Sequence, residues 1–138
     1  MATNYFAVES LIVARLKERI PQLKSVLGSG VGHGVEDVAK KPTVLVVYDG
    51  YEPMGRGLGK TLLRQRWQIL LTVESINDSA GDSARGQAGV LIVEIISALS
   101  GWAPSAEFST LEPAAGAAAV YKDSAASFHL FFYTHAAF

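Results

Sequence analysis

The sequence predicts an α+β domain: a mostly antiparallel sheet carrying two main helices on one face. Three observations carry this. Apolar residues recur at helical spacing near the N-terminus and again around residues 84–102. The segments between and after them are β-branched or alternate with a period of two. The resulting order of helix, strands, helix, strands is that of an α+β layer pair.

The first helix is read from NYFAVESLIVARLKERI. Phe6, Val8, Leu11, Ile12, Leu16 and Ile20 fall near helical spacing, while Glu9, Arg15, Lys17 and Glu18 form the wet side. Asn4 is placed to cap this helix and Pro21 to end it. LKSVLGSG reads as a short strand running into a glycine-rich loop, and GVEDVAKKP as a loop or one helical turn. TVLVVYDG, bounded by Pro42 and Gly50, is short and β-branched, the pattern of a strand buried largely on both faces. Residues 50–60, GYEPMGRGLGK, hold four glycines and a proline. They read as a flexible loop between strands, poorly ordered in the isolated subunit and long enough to be functional.

In TLLRQRWQILLTVES, Leu63, Trp67, Ile69, Leu71 and Val73 share one parity; Arg64, Arg66, Gln68, Thr72 and Glu74 share the other. That is a long strand with one wet face. NDSAGDS reads as a turn. In ARGQAGVLIVEIISALSGW, Ala88, Leu91, Ile92, Ile95 and Leu99 mark a second helix that Gly101 stops. Gly86 and Gly89 weaken it intrinsically and leave room for close packing against the sheet or a neighbouring subunit. AEFSTLE, AAVYKDS and SFHLFFYTH read as strands. In the last, Phe128, Leu130 and Phe132 face one way, and His129, Phe131, Tyr133 and His135 the other.

With 138 residues, 49% of them hydrophobic, the chain suits a single domain over 1–138 with ample material for a core. The formal net charge of −1 argues against a generic nucleic-acid binder. There is no cysteine, so there is no disulfide framework, thiol nucleophile or cysteine metal site. The N-terminus lacks the basic start and long apolar run of a secretory signal. The longest apolar stretch, AGVLIVEIISAL, is interrupted by Glu94 and too short to cross a bilayer. The reading is of a soluble protein.

PMGRGLGKTLL resembles a phosphate-binding loop but fails in two respects. Counting back from Gly59-Lys60-Thr61, the first glycine belongs at position 54, where Met54 stands; Gly55 comes one residue late. The residues that follow alternate like a strand, so no helix N-terminus would face a phosphate. Arg56, Lys60, Arg64 and Arg66 form a local basic cluster, read either as a solvated edge or as a surface that meets an acidic partner or passing DNA. His33 stands near Glu36 and Asp37 without further ligands. His129 and His135 lie roughly 20 Å apart along an extended strand, too far to share a metal ion. No catalytic, cofactor-binding or metal-binding set stands out.

Taken in order, the VESLIVARLKERI helix, KPTVLVVYDGYEP, RWQILLTV, the ISALSGWAP helix end and YKDSAASFHLFF make a whole-chain pattern. It resembles the phage tail terminator family, in particular the small terminator-like proteins of Mu-like prophages and contractile tails. The resemblance implies a non-enzymatic α+β subunit without cofactors that assembles with itself into a ring, usually a hexamer. It implies that the ring caps the tail tube at the head-proximal end of the virion tail, stops its polymerisation and offers a surface to the head connector. In contractile systems it also implies contact with the sheath, with DNA passing only in transit and no membrane involved. Assembly in the host cytoplasm follows. The alternatives are a head–tail joining or other tail-completion protein of related fold, and, further off, a nucleotide binder using the 55–61 loop. Within this reading Arg56, Lys60, Arg64 and Arg66 are the expected protein-interaction loop.

Overall fold

The computed structural model describes residues 1–28, 41–74, 82–116, 119–122 and 125–138. Its elements in chain order are α1 (Ala7–Arg19), β1 (Ser25–Gly28), β2 (Thr43–Gly57), β3 (Lys60–Glu74), α2 (Asp82–Leu99), β4 (Glu112–Ala114), β5 (Val120–Lys122) and β6 (Ala125–Ala137). They form the α+β layer pair. The sheet order is β1-β2-β3-β6-β4, with β5 also paired to β6. Among the described strands β1 pairs with β2 in parallel, and the other pairings are antiparallel.

The centre of the sheet is organised in rows. Register places Val44, Leu71 and Phe128 side by side, then Val46, Ile69 and Leu130, then Tyr48, Trp67 and Phe132. Directly opposed residues on neighbouring strands point to the same face. These rows therefore make one apolar floor, and the alternation of β3 decides which face it is. Val44, Val46, Trp67, Ile69, Leu71, Val73 and Phe132 are all buried. Both helices lie on this floor. α1 contributes Val8, Ile12 and Leu16 at four-residue spacing, with Ile20 and Leu23 just beyond it; α2 contributes Ala88, Leu91, Ile95, Ala98 and Leu99. Arg15 ties the two helices together by donating from Nε to the carbonyl of Ala98 at 3.0 Å, with its guanidinium stacked 5.1 Å from the Trp102 ring. A cation at a helix C-terminus satisfies a carbonyl that has no intrahelical donor. Gly101 stops α2 as expected, with φ at +77°.

Four expectations need correction. α1 begins at Ala7 with Phe6 at its N-cap, not at Asn4. The Asn4 Oδ1 instead accepts from the Phe6 N–H at 3.0 Å, an Asx turn that leads the chain into the helix. β2 is not buried on both faces. Thr43, Val44 and Val46 are buried while Leu45 and Val47 are half-buried, because both helices cover the same side. Residues 50–60 are not a loop, since β2 runs to Gly57 and β3 starts at Lys60. The glycines do other work: the β2–β3 register shifts between Tyr48 and Tyr51 and between Pro53 and Gly55, where Gly50 and Gly55 take positive φ. These are bulges, which need an unpaired residue and tolerate glycine there. AEFSTLE is irregular, and β4 starts only at Glu112. Ser109 is the reason: its N–H donates to the His135 carbonyl, and its Oγ accepts from the His135 N–H, each at 2.9 Å. A hydroxyl thus replaces a ladder carbonyl. AAVYKDS and SFHLFFYTH hold the expected β5 and β6. The turn NDSAGDS, GVEDVAKKP and His33 lie almost wholly outside the described residues.

The N-terminal segment crosses the end of this core. Gln65, buried on β3, donates from Nε2 to the Tyr5 carbonyl at 2.7 Å, and its Oε1 accepts from the Trp67 indole at 3.1 Å. The Tyr5 hydroxyl bonds to that of Tyr48. At the same end Ala2 donates to the Ala137 carbonyl, and Thr61 and Phe138 exchange both backbone bonds. Burial, and then the bond to Tyr48, push the Tyr5 hydroxyl pKa well above its ordinary value. In the unfolded chain the phenol ionises near the ordinary value of 10.0, whereas the fold holds it neutral. Its contribution to stability is therefore complete below that pH and lost as pH rises beyond it. Chemical denaturation from about pH 8 to about pH 11.5 should show stability falling above about pH 10. Tyr5→Phe should flatten that fall; an unchanged slope would mean that Tyr5 is not the group responsible.

Candidate functional site

No group of His, Asp and Glu among the described residues is arranged to hold a metal ion. The Gly59-Lys60-Thr61 stretch turns a hairpin and enters β3, so its amides do not open onto a helix. His129 contacts Gln68, and His135 lies opposite Arg64 near the far end of β6. What the molecule presents instead are three surfaces: the helix-free face of the sheet, the tip of the β2–β3 hairpin and the outer face of α2.

The helix-free face holds Arg64 and Arg66, on alternate residues of β3. Each arginine is paired across to β2: Arg64 to Glu52, and Arg66 Nε to Asp49 Oδ2 at 2.9 Å. Each also lies over an aromatic ring of β6. The Arg64 guanidinium is 4.3 Å from the Tyr133 ring centroid and that of Arg66 is 4.2 Å from the Phe131 ring centroid. These are diagonal cross-strand contacts, since Arg64 is registered with His135 and Arg66 with Tyr133. Arg66 Nη2 also donates to the Ala115 carbonyl at 3.1 Å. Its Nε–H is aimed poorly for a hydrogen bond, so the Asp49 contact is an ion pair by distance alone. Half-exposed pairs of this kind contribute about 0–1 kcal/mol. Their main consequence is electrostatic, because Asp49 and Glu52 cancel the charge of both arginines. The groove between them, lined by Asp49, Tyr51, Glu52, Arg64, Arg66 and Tyr133, holds about 190 Å³. That is below the roughly 300 Å³ at which small-molecule pockets begin.

The hairpin tip carries the other half of the basic cluster. Arg56 is registered with Thr61, and Lys60 with Gly57. Strand parity therefore puts Lys60 on the same face as Arg64 and Arg66, and Arg56 on the opposite one. The four residues divide into a neutralised pair on the sheet and two cations at the tip, which make no ion pair among the described residues. Between those two cations the turn consists of Leu58 and Gly59, with φ of +52° and +76°. Leu58 is 99% exposed, and Tyr51 and Met54 are exposed along the same hairpin.

α2 is apolar on both sides. Away from the core it exposes Val90 at 63%, Val93 at 63% and Ile96 at 40%. Gly86 and Gly89 are exposed too, and nothing lies within 4 Å of where a side chain would start on either. They do not serve close packing on the sheet. A helix that is hydrophobic all round is ordinarily buried on all sides, and a single subunit covers only one side of this one.

A family model described as phage tail terminator protein matches residues 1–138, the whole length of the chain. The chain belongs to the phage tail terminator family. No curated protein matches it. Members of the tail terminator family are structural proteins, so this chain is a component of the phage tail that works by contact with other tail components. No helix among the described residues is long and apolar enough to cross a membrane. For a tail terminator the surfaces that matter are those that meet neighbours. Sequence reasoning singled out Arg56, Lys60, Arg64 and Arg66 but missed Leu58, Val90, Val93 and Ile96. The signals were present: a leucine between two glycines at the turn, and a GVLIVEIISAL run too uniformly apolar for a helix with one wet side.

Proposed function

We propose that this protein closes the head-proximal end of a phage or tailocin tail. Copies of the chain join into a ring, six-membered as is usual for the family. The ring caps the tail tube, ends its polymerisation and presents the surface on which the head connector docks, meeting the last sheath layer where the tail is contractile. The observation that carries this reading is the family match over the full length of the chain. Two features of the surface support it. The neutralised arginines on the sheet leave that face without a strong hold on DNA, which suits a ring through which DNA passes in transit. The hairpin tip with Arg56 and Lys60 is free to reach a protein neighbour, so of the four basic residues these two are the stronger interaction candidates, with Arg64 and Arg66 holding the hairpin's shape behind them.

The experiment is to assemble particles without the protein and measure tail length by electron microscopy. Overlong tubes are expected. Tails of normal length that fail to join heads would identify a head–tail joining protein instead, and normal, infectious particles would end both readings.

A further inference from the structure

We propose that Leu58, at the hairpin tip of one copy, docks on the outer face of α2 of a second copy, against Val90, Val93 and Ile96, so that the subunits join head to tail. This rests on the reading of the chain as a self-assembling ring.

The tip is built against local preference. A two-residue hairpin turn with positive φ at both central residues favours Asn, Asp or Gly at the first of them. A leucine there strains its backbone and leaves its side chain in water. Leu58 does both, with φ at +52° and 99% exposure. Among the described residues no contact repays it. Departures from local rules of this kind concentrate at functional sites. The tip also stands just past the end of the sheet pairing: Thr61 is still bonded to Phe138, and Leu58 and Gly59 lie beyond it.

The receiving surface is on a different part of the same chain. Val90, Val93 and Ile96 recur every three residues along α2 and make one exposed apolar strip. Beside it Gly86 and Gly89 form a shallow notch where a neighbour's backbone can come close. The charges match as well. Arg56 and Lys60 flank Leu58, and Glu94, whose Oε1 accepts weakly from Gln22 at 3.5 Å, borders the strip. A projecting apolar tip and a separate apolar strip on one chain make a heterologous interface, the kind that closes into a ring when its rotation permits. That complementarity within one sequence is why the occupant is a second copy rather than another tail protein.

The test uses the absence of cysteine from the chain. Full-length Leu58→Cys and Val93→Cys are prepared separately, mixed in equal amounts and oxidised mildly. This is done at a concentration where light scattering shows assembly, or within assembled tails where the free protein is monomeric. Disulfide-linked dimers are expected in the mixture, at least tenfold more than in either variant alone. Equal linking in Leu58→Cys alone would mean that tips meet tips. Assembly without linked dimers would mean that the tip meets something else, such as the tail tube. Either result overturns the docking while leaving the ring intact, whereas no assembly in either setting overturns the ring reading itself. Leu58→Gly separates docking from folding. It relieves the strained turn, so thermal stability should be unchanged or higher, while self-association weakens at least tenfold. Unchanged self-association would overturn the proposal.

Discussion

Trp67→Ala is expected to cost about 3–5 kcal/mol of folding stability, the largest loss from any single side chain in this fold. Trp67 is fully buried at the middle of the row formed with Tyr48 and Phe132, and its ring meets that of Tyr48 edge-on at 5.4 Å. Removing it leaves a cavity between the sheet and the helices. It also strips the donor from Gln65 Oε1, whose amide is otherwise committed to the Tyr5 carbonyl. A buried acceptor without its donor adds a penalty of about 1–3 kcal/mol, part of which the relaxed cavity returns through water. Trp67→Phe weights that second effect, because it keeps most of the volume while losing the indole N–H along with one ring of the bicycle. It should cost less than half as much as Trp67→Ala. Urea unfolding of the two variants measures both, and a loss under about 1 kcal/mol for the alanine variant would contradict the packing described.

Val93→Lys should have the largest effect on assembly and almost none on the subunit. Val93 points away from the core, so the folded monomer should keep its stability to within about 0.5 kcal/mol. In the proposed interface the new ammonium would sit among apolar side chains, opposite a tip that already carries the cations Arg56 and Lys60. An unpaired buried charge costs several kcal/mol even after relaxation. Since about 2.7 kcal/mol is a hundredfold in an equilibrium constant, self-association should weaken by at least that factor. Sedimentation velocity alongside thermal unfolding separates the two quantities. Intact assembly would remove the outer face of α2 from the interface, and a collapse in unfolding temperature would mean that Val93 supports the subunit itself.

These two residues also mark what was legible in the sequence and what was not. Trp67 belongs to a strict alternation, and a period of two names the buried face of β3 without any tertiary information. Gln65 has the same parity but is polar. Its burial depends on a carbonyl from residue 5 that no local pattern brings near. The α+β class and the core faces of both helices follow from periodicity in the same way. The hairpin was harder. A glycine announces positive φ but does not say whether a turn or a bulge uses it, so Gly50 and Gly55 read as a loop when they are bulges within a paired strand. The basic cluster read as one patch for a related reason. Asp49 meets Arg66 through strand pairing that no local pattern names, and Glu52 faces Arg64 only once the first of those bulges has reset the cross-strand register. On α2 the inner face was legible because it repeats at the helical period. The outer face is apolar as well, and its meaning lies in a second molecule.

The way the chain ends are fastened has a practical consequence. Ala2 is bonded to Ala137, and Phe138 is bonded to Thr61, which is three residues from Leu58. Both ends of the chain therefore lie beside the hairpin, the last residue within roughly 10 Å of Leu58 along the strand. An affinity tag or fluorescent fusion on either end would hang over the tip and compete for the space a neighbour needs. If the tip docks as proposed, such a protein would fold normally and yet assemble poorly. Self-association is best measured on untagged chain, or on chain with the tag cleaved close to its first residue.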